Sequence, residues 1–473
     1  MSRFADFPLK DDANSNAIDQ KIEYEECLEF LFGRLNYERV GMPRKGSGDL
    51  RLGRMRRFLR ELGDPQEAFK IVHVAGTKGK GSTSAMLAAA LAAGGFKTGL
   101  FCSPHLERLE ERFTFNGEAA EPSDLIELTR AVRPTVERLD VESSRPPLTF
   151  FEITAAMGLI HFSKKQADIV VLEVGMGGRL DSTNAVRPIL SLITTISFDH
   201  TRQLGSTLRA IAAEKAGIIK RGRPALSGVR DPEAREAIAL AARRVRAPLR
   251  TIDDDFQYTY LPPEYPLTRP TPGRVRVQTW RTDWGEFDLP LLGPHQAHNA
   301  ALVLASLDAL AEQGILIDSA SVRRGFANLR WPARVEVFGN GPWLVIDGAH
   351  NVASAQALAE TLRVCFPKTS RTLIFGTSRD KDLVGQLHAL LPLFDHVIVT
   401  RYVLNPRSVP PEDIADCVTS LGYSSPGIAD HPEIALSLAR DASSPNPLVC
   451  VTGSLFLAAE MRAVVLKKSG ENP

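Results

Sequence analysis

The stretch from Val72 to Leu91, VHVAGTKGKGSTSAMLAAAL, constrains the fold more than any other part of the chain. It begins with β-branched residues, continues through glycines and a lysine, and ends in an alanine-rich helical segment. Gly76, Gly79 and Gly81 allow positive φ angles and close backbone approach, so successive amides can surround one anion at the start of the helix. Lys80 adds a positive charge between the outer phosphates of a nucleotide. The stretch therefore predicts a strand, a phosphate-binding loop and a helix.

This loop departs from the strict Walker pattern at two positions. The residue six before Lys80 is Val74 rather than glycine, and the hydroxyl comes one residue late, at Ser82 after Gly81. What remains is the shortened form Gly-x-x-Gly-Lys-Gly-Ser. A glycine-rich turn that binds no ligand is the alternative, but a lysine and two hydroxyls between the strand and the helix favour phosphate binding.

Length and charge limit the number of domains and the class of partner. A chain of 473 residues is too long for one ordinary core, so two or three domains are expected. The 44% of hydrophobic and 24% of charged residues are ordinary for a globular protein. A formal net charge of +1 gives no electrostatic case for a nucleic acid partner, although it does not bear on small anions.

Several sequence features favour the cytoplasm. The five cysteines form no CxxC pair and no zinc spacing, as expected for free thiols in a reducing compartment. The N-terminus has no apolar run followed by a cleavage site, and charge or glycine interrupts every apolar stretch before it reaches the length of a membrane span. We therefore expect a cytoplasmic protein with no membrane partner.

Polar side chains follow three predicted strands, which begin at residue 98 and cover 167–175 and 189–196. Ser103 follows the first strand, Glu173 ends the apolar run of the second, and Asp199 and His200 follow the third. Because ligands collect at the carboxyl ends of parallel strands, these side chains should share one edge of the sheet with Lys80. A buried carboxylate needs a partner, so the pattern favours a magnesium–nucleotide site. A structural salt bridge of Glu173 is the alternative.

The N-terminal part is predicted to contain a loose tail up to about Asp19 and a helix from Ile22 to Leu35. A second helix carries a basic cluster that comprises Arg51, Arg54, Arg56, Arg57 and Arg60. We interpret this cluster as the solvated face of a packing helix rather than a nucleic-acid site, because the one aromatic residue among these arginines, Phe58, is at an apolar position of the helix.

Two further helices carry candidate site residues. Glu214 and Lys215 are adjacent on a helix predicted from Ser206 to Ile219, and because adjacent helical positions point in different directions, only one of them should face the site. His295 and Asn299 stand at the start of a long apolar helix. They are either capping residues or ligands, and the sequence pattern alone does not favour one interpretation.

The second half of the chain changes character twice. Short alternating runs with prolines between Thr251 and Leu292 predict antiparallel hairpins on the first domain. From Trp331, strands and helices alternate, which predicts a second parallel sheet. Its predicted strands cover residues 344–347, 372–376, 396–400 and 448–452, and its predicted helices cover 353–364, 383–391 and 455–465. Asp347, His350 and Asn351 cluster after the first of these strands, where a ligand between two domains would bind.

The predicted fold class is therefore α/β, with a domain boundary near 329–334. Residues 1–330 should form an N-terminal P-loop-type domain, in which helices cover both faces of a parallel sheet and small antiparallel hairpins are attached. Residues 331–473 should form a smaller Rossmann-like α/β domain.

The ordered motifs resemble the folylpolyglutamate synthase branch of the Mur ligase family, which is often bifunctional with dihydrofolate synthase. The matching segments, in family order, are HVAGTKGKGSTSAM, FCSPHL, RFTFNGE, TFFEITAAM, LEVGMGGRLDSTNAV, ISFDHTRQLGSTLRAIAAEKAGIIK, GPHQAHNAA, WPAR, DGAHN and SRDKD. Two positions differ from common forms of the motifs. Lys78 replaces the asparagine of bacterial members, as is usual in eukaryotic ones, and Ala333 replaces the glycine of WPGR.

The resemblance implies two Mg²⁺ ions and an ATP site, with residues carried over by position. The ATP phosphates would be held by Gly79, Lys80, Gly81 and Ser82. One Mg²⁺ would be held by Ser103 and Glu173, and a second by His200 together with Lys215 carbamylated by CO₂. A plain Lys215 amine that pairs with Glu214 or with a phosphate is the alternative. Further nucleotide contacts would come from Asn299, Arg334, Asp347 and the nearby His350. The pterin or the acceptor carboxylate would be bordered by Thr149, Phe151, Arg179 and Asp181.

The activity implied is an ATP-dependent ligation of L-glutamate to the carboxylate of tetrahydrofolate, with dihydropteroate as a second candidate acceptor. Lys80, His200, Lys215 and Arg334 would be the catalytic residues. The resemblance also implies a monomer whose partners are these small molecules. Two other functions remain open at this point: a Mur-type ligase acting on a cell-wall nucleotide precursor, and a P-loop NTPase whose hydrolysis drives a partner's movement.

Overall fold

The larger sheet is built from short apolar strands that begin with the β-branched run before the phosphate loop. The computed structural model describes residues 15–40, 52–142, 146–264, 266–339, 342–441 and 448–469. Its first eight strands are β1 (Lys70–Ala75), β2 (Thr98–Phe101), β3 (Phe113–Phe115), β4 (Glu118–Ala119), β5 (Ile169–Glu173), β6 (Leu190–Ile193), β7 (Ala225–Ser227) and β8 (Leu249–Thr251). They pair in the order β4-β3-β2-β5-β1-β6-β7-β8. All pairings are parallel except β2 with β3 and β3 with β4.

Helices cover both faces of this sheet, as predicted. They are α1 (Ser15–Phe32), α2 (Tyr37–Val40), α3 (Leu52–Glu61), α4 (Lys80–Ala93), α5 (Pro122–Glu142), α6 (Phe150–Lys164), α7 (Thr201–Leu204), α8 (Leu208–Ala216), α9 (Pro232–Arg244), α10 (Pro294–Ala311) and α11 (Ser319–Asn328). Val72 and Val74 of β1 pack with α4, α10 and α11, whereas Ile71 packs with α1, α3, α5 and α6. This alternation follows from the two-residue period of a strand, which points successive side chains to opposite faces.

The predicted antiparallel hairpins form a three-stranded sheet beside the first core. Its strands are β9 (Phe256–Leu261), β10 (Arg274–Thr279) and β11 (Asp283–Asp288), with β10 in the centre. Asp308 of α10 fixes this sheet to the domain, because its buried carboxylate accepts hydrogen bonds from Thr279, Thr282 and Trp284.

A second α/β unit follows, and its sheet is mixed rather than purely parallel as predicted. Its strands are β12 (Glu336–Phe338), β13 (Trp343–Ile346), β14 (Arg371–Phe375), β15 (His396–Thr400), β16 (Gly427–Ala429) and β17 (Leu448–Thr452). The order is β12-β13-β17-β14-β15-β16, and only the edge strand β12 runs antiparallel to its neighbour. Its helices are α12 (Val352–Cys365), α13 (Leu383–Leu390), α14 (Pro411–Ser420), α15 (Pro432–Asp441) and α16 (Leu455–Ser469). The division at residue 330 stays a prediction, between the end of α11 and the start of β12.

The structure corrects several predicted boundaries near the chain start. Residues 15–19 belong to α1 and not to a loose tail, and α1 ends at Phe32. Residues 1–14 lie outside the described part. The helix with the basic cluster packs through Met55, Phe58 and Leu59, and Arg56, Arg57 and Arg60 are exposed as predicted. Arg54 is an exception to the solvated face, because its side chain is only 13% exposed and pairs with Glu152. Arg51 lies outside the described residues.

Four elements of the second unit, β12, β16, α14 and α15, have no sequence prediction, and helix α8 of the first unit is shorter than predicted. Strand β16 and helices α14 and α15 fall in a region rich in proline and serine, where periodicity is short. The helix predicted from Ser206 begins after Thr207, whose side chain caps it, and ends at Ala216. Among the helices of the described ranges, none has the length and apolar character needed to cross a membrane.

Candidate active site

The phosphate loop connects β1 to α4 as the sequence predicts. Gly79 has a φ of 81° and is the residue before the first turn of α4. A Cβ atom at Gly79 would lie 2.4 Å from the Oδ1 atom of Asn299, so only glycine allows α10 to approach the loop. At Gly81, a Cβ atom would lie 3.3 Å from the Trp331 ring. Lys80 forms no hydrogen bond or ion pair with the residues that the structure describes.

The end of β6 holds this loop in place. The Thr77 amide donates to the Thr195 carbonyl over 2.7 Å, and the Lys78 amide donates to Thr195 Oγ1 over 3.0 Å. Thr194 Oγ1 and Thr195 Oγ1 in turn donate to the Lys78 carbonyl over 2.6 and 3.0 Å. Ser197 closes the brace through bonds between its backbone and Thr77 Oγ1. The loop backbone is therefore fixed before any ligand binds.

Glu173 ends β5 beside the loop, and its carboxylate is buried. Its Oε2 atom accepts a hydrogen bond of 3.2 Å from the Ser103 amide, at the end of the neighbouring strand. Burial raises the pKa of Glu173, although Lys80 and Arg334 act in the opposite direction. Within the described part of the chain no ion pair involves Glu173, so the alternative of a structural salt bridge finds no support.

Lys215 and Glu214 point in different directions, as their adjacency on α8 predicts. The Lys215 side chain is buried, and its Nζ atom donates to the Gly76 carbonyl over 2.8 Å. Burial lowers the pKa of Lys215 well below its ordinary value, with Lys80 adding to the effect. Glu214 instead pairs with Arg179 at 2.9 Å, which removes Glu214 as a partner for Lys215.

His200 and Asp199 follow β6 on the same side of the sheet. The His200 side chain is 45% exposed toward the cleft, and its backbone adopts a left-handed conformation with a φ of 49°. Burial alone would raise the pKa of Asp199, but Lys78, His200 and Lys381 hold it well below its ordinary range. The acid therefore carries a negative charge that residues of both α/β units surround.

The second unit contributes Arg334, Asp347 and His350. Asp347 is buried, and its two carboxylate oxygens accept hydrogen bonds from the amides of Val335 and Ala349 over 3.0 and 2.8 Å. Burial raises the pKa of Asp347 despite the nearby Arg334. Asp347 thus fixes the backbone next to Arg334 and at the start of the His350 turn. Arg334 Nη1 donates to the carbonyl of Ala333.

One cleft of about 2060 Å³ joins these groups. Its lining includes the phosphate loop, the ends of β2, β5 and β6, the start of α10, and the turns around Arg334 and His350. Among the described residues, no three histidine, cysteine, aspartate or glutamate side chains lie close enough together to hold a metal ion.

Comparisons with known proteins agree over most of the chain. Residues 74–307 match the model of the Mur ligase middle domain, and residues 333–455 match that of the Mur ligase glutamate ligase domain. The dihydrofolate synthase/folylpolyglutamate synthase of Bacillus subtilis is 32% identical over 444 residues, which cover 93% of this chain and 98% of the relative. The chain belongs to the folylpolyglutamate and dihydrofolate synthase branch of the Mur ligase family. It is an ATP-dependent, amide-forming ligase.

Solved structures of this ligase family have the same fold. Mycobacterium tuberculosis folylpolyglutamate synthase complexed with ADP aligns with a TM-score of 0.86 at 32% identity, covering 96% of this chain and all of that one. Escherichia coli FolC in complex with DHPP and ADP aligns with a TM-score of 0.78 at 27% identity, covering 94% of this chain and 98% of that one.

Of the four residues predicted to border the substrate, three line the cleft of this ligase and one does not. Thr149 and Phe151 line the cleft, and Thr149 also caps α6 by accepting a hydrogen bond from the Glu152 amide. Asp181 lines the cleft as well, but its carboxylate accepts hydrogen bonds from the Met176 and Thr183 amides. Arg179 lies outside the cleft lining because it is directed toward Glu214. The substrate roles of these residues stay predictions.

Asn299 and His295 do not cap α10, which begins after Gly293. Asn299 Nδ2 donates to Gln296 Oε1 over 2.9 Å, and its Oδ1 atom faces Gly79. Of the two interpretations left open by the sequence, capping is wrong for both residues. Asn299 lines the cleft against the phosphate loop. His295 also lines the cleft, and burial lowers the pKa of its imidazole to about 4.

Sequence reasoning missed the residues that support the phosphate loop. Thr194 and Thr195 stand at the end of β6, where a pair of hydroxyls at the carboxyl end of a central strand was a usable signal. Lys381 and Asn351 approach Asp199 from the second unit, at 3.7 and 3.1 Å. No short-range pattern connects residues so far apart in sequence.

The buried charge of Glu173 predicts a measurable cost in the metal-free ligase. The ordinary pKa of a glutamate carboxyl is 4.5, and burial raises that of Glu173. As pH rises above 4.5, the carboxyl therefore loses its proton in the unfolded chain before it does so in the folded one, and the free energy of unfolding falls. Glu173→Gln removes this loss, which is about 1.4 kcal/mol for each unit by which the pKa is raised. With a chelator present, the melting temperature of the variant should exceed that of the wild type increasingly between about pH 5 and pH 8.

The control for this experiment is Glu118→Gln, at an exposed position. The difference in melting temperature between Glu118→Gln and the wild type should be independent of pH. A wild type as stable as Glu173→Gln at about pH 8 would contradict the account of a destabilising buried charge.

Proposed function

We propose that this ligase adds L-glutamate to the carboxylate of tetrahydrofolate, and also to that of dihydropteroate, with ATP as the energy source and Mg²⁺ as the metal. The observation that carries the proposal is the Lys80 ammonium, which pairs with none of the described residues and lies in a cleft that both α/β units line. The names of the relatives point to the same pair of activities, since the Bacillus subtilis protein is named for both.

The donor set of the cleft fits Mg²⁺ rather than a transition metal. Magnesium ions usually keep several waters and bind through one or two carboxylates together with substrate phosphates. Glu173 and Ser103 would provide such a partial site next to the phosphate loop, and His200 would contribute to a second. When bound, Mg²⁺ would neutralise charge on the phosphates of ATP. A cluster of three protein ligands is not needed for this chemistry.

The reaction begins with activation of the acceptor, because a carboxylate is a poor electrophile. A carboxylate oxygen of the acceptor attacks the γ-phosphorus of ATP, and the bond between the γ-phosphorus and the β-phosphate oxygen breaks. The products of this step are an acyl phosphate and ADP. Lys80 and Arg334 would stabilise the charge that spreads over the transferred phosphoryl group. The glutamate amine then attacks the acyl carbon, loses a proton and expels inorganic phosphate as the amide forms.

Lys215 would join the second metal site as a carbamate. Its burial favours the neutral amine, which is the form that adds to CO₂ and releases a proton. A carbamate nitrogen keeps one hydrogen, so the bond to the Gly76 carbonyl can persist after modification. The new oxygens would convert the neutral amine into an anionic ligand beside His200.

Acceptor and product analysis tests the proposal. The purified protein is incubated with MgATP, L-glutamate and either tetrahydrofolate or dihydropteroate, and products are identified by mass. We expect ADP release that depends on the acceptor, and a product one glutamyl residue heavier than each acceptor. ADP release without an acceptor would indicate a motor-type NTPase. Release only with a cell-wall nucleotide precursor would indicate another Mur-type ligase.

Lys80→Ala should lower turnover by at least roughly tenfold, the low end of what loss of a charged phosphate contact produces. Turnover should fall because the charged contact with the phosphates is lost. The fold should stay intact, because Lys80 has no structural partner within the described residues. Steady-state ADP release measures the effect. Lys97→Ala, at an exposed position, is the matched control and should retain full turnover. Unchanged turnover in Lys80→Ala would mean that the loop does not hold phosphates.

Carbamylation of Lys215 can be measured directly. With ¹³C-bicarbonate, the wild type should give a carbamate NMR signal that is absent from Lys215→Ala, and turnover should fall in CO₂-depleted buffer and recover on addition of bicarbonate. Lys220 offers a control, since burial also lowers its pKa, to about 8. Lys220→Ala should keep the signal. A signal that disappears with Lys220 instead would reject the assignment.

Two further properties belong to the same proposal. The five cysteines are free, and four of them are buried, which suits a reducing cytoplasm. A monomer is proposed because one chain supplies every group that the reaction needs. Size-exclusion chromatography with light scattering measures this property.

A further inference from the structure

Lys78 lies in the phosphate loop, but its side chain has a different environment from that of Lys80. Its Nζ atom is 2.9 Å from Asp199 Oδ2, whereas Lys80 has no such partner in the described ranges. The Lys78 side chain is 24% exposed and that of Asp199 12% exposed, so solvent screens this ion pair less than a surface pair. The proposed function gives Lys78 no role.

The second α/β unit binds the same carboxylate. Asn351 Nδ2 donates to Asp199 Oδ2 over 3.1 Å, and Lys381 Nζ lies 3.7 Å from Asp199 Oδ1. The orientation of the Asn351 amide is fixed, because its Oδ1 atom caps α12 by accepting a hydrogen bond of 3.0 Å from the Ser354 amide. Its NH₂ group is therefore directed at Asp199.

His350 completes the contact between the loop and the second unit. Its Nδ1 atom lies 2.9 Å from the Gly348 carbonyl, which can only accept, so Nδ1 carries the hydrogen. In the neutral ring, Nε2 is then an acceptor, and it lies 3.4 Å from Lys78 Nζ. Burial lowers the pKa of His350 to about 3, consistent with a neutral ring.

We propose that Lys78 is a positioning residue that fastens the phosphate loop to the second unit through Asp199, Asn351 and His350. The inference rests on the proposed function, since the bridge would hold the cleft shut while the acyl phosphate exists. The backbone of Lys78 is rigidly bound to Thr194 and Thr195, so the ammonium transmits the position of the loop to the facing turn. Loss of the bridge opens the cleft and admits water.

The chemical consequence of an open cleft is hydrolysis of the acyl phosphate. Water attacks the acyl phosphate, restores the acceptor carboxylate and releases inorganic phosphate, so one ATP is consumed without an amide. The ratio of ADP released to amide formed therefore reports closure. A variant that is merely less folded loses both products equally and leaves this ratio unchanged.

The test compares Lys78→Met with Lys78→Arg, which keeps the charge, and with Asn351→Asp. The aspartate keeps the capping oxygen of α12 but places a second carboxylate against Asp199. We expect Lys78→Met and Asn351→Asp each to raise the ratio of ADP to amide at least about fivefold, the lower range of coupling between sites. Lys78→Arg should restore most of the wild-type ratio. The double variant Lys78→Met/Asn351→Asp should have a ratio of ADP to amide no higher than that of either single variant, because both changes break the same bridge.

A readout independent of product formation accompanies the assay. Small-angle X-ray scattering with Mg·AMPPCP should show a larger radius of gyration for Lys78→Met than for the wild type, and a wild-type value for Lys78→Arg. Absence of amide product in the wild type would reject the proposed function, while scattering would still test the bridge. An unchanged ratio and radius in Lys78→Met, with weaker ADP binding by calorimetry, would overturn the inference and make Lys78 a phosphate contact.

Discussion

The hydrogen bonds between the phosphate loop and the end of β6 are the interaction on which the site depends. Three hydroxyls, those of Thr77, Thr194 and Thr195, bind loop or strand-end backbone, and Lys215 binds the Gly76 carbonyl. A glycine-rich loop has high conformational entropy in the unfolded chain, and these hydrogen bonds order the loop when the protein folds. The entropy cost of ordering the loop therefore does not weaken ligand binding. Because β6 also leads to Asp199 and His200, the same brace sets the distance between the loop and the two residues.

The cleft concentrates ionisable groups that a protein core normally excludes. Glu173, Asp347 and Lys215 are all buried, and burial shifts the pKa of each toward its neutral form. Asp347 is compensated by two backbone amides, which fixes the turn beside Arg334. Among the residues that the structure describes, Glu173 accepts a single amide hydrogen bond, from Ser103, and Lys215 donates a single one, to the Gly76 carbonyl. These two residues retain unused bonding capacity, which is the property expected of groups that await a cation and a CO₂ molecule.

The sequence predicted the fold and the sheet edge well because both depend on short-range periodicity. Strands β1, β5 and β6 were apolar runs of the right length, and parallel strands bring their carboxyl ends together without further information. The direction of single side chains was not predictable in the same way. Arg179 is next to the cleft in sequence but pairs with Glu214 away from it, and Lys78 lies beside Lys80 but is directed to Asp199. Those outcomes depend on distant partners.

Adjacent residues at the end of β6 divide two tasks between them. His200 has a left-handed backbone, and its Nε2 atom lies 3.8 Å from Asp199 Oδ1. Asp199 contacts Lys381 and Asn351 of the second unit, while the His200 side chain is 45% exposed toward the cleft. Since one peptide links both residues, a displacement of the second unit that moves Asp199 must also move His200. Closure of the cleft and assembly of the proposed metal site would thereby be coupled through the backbone.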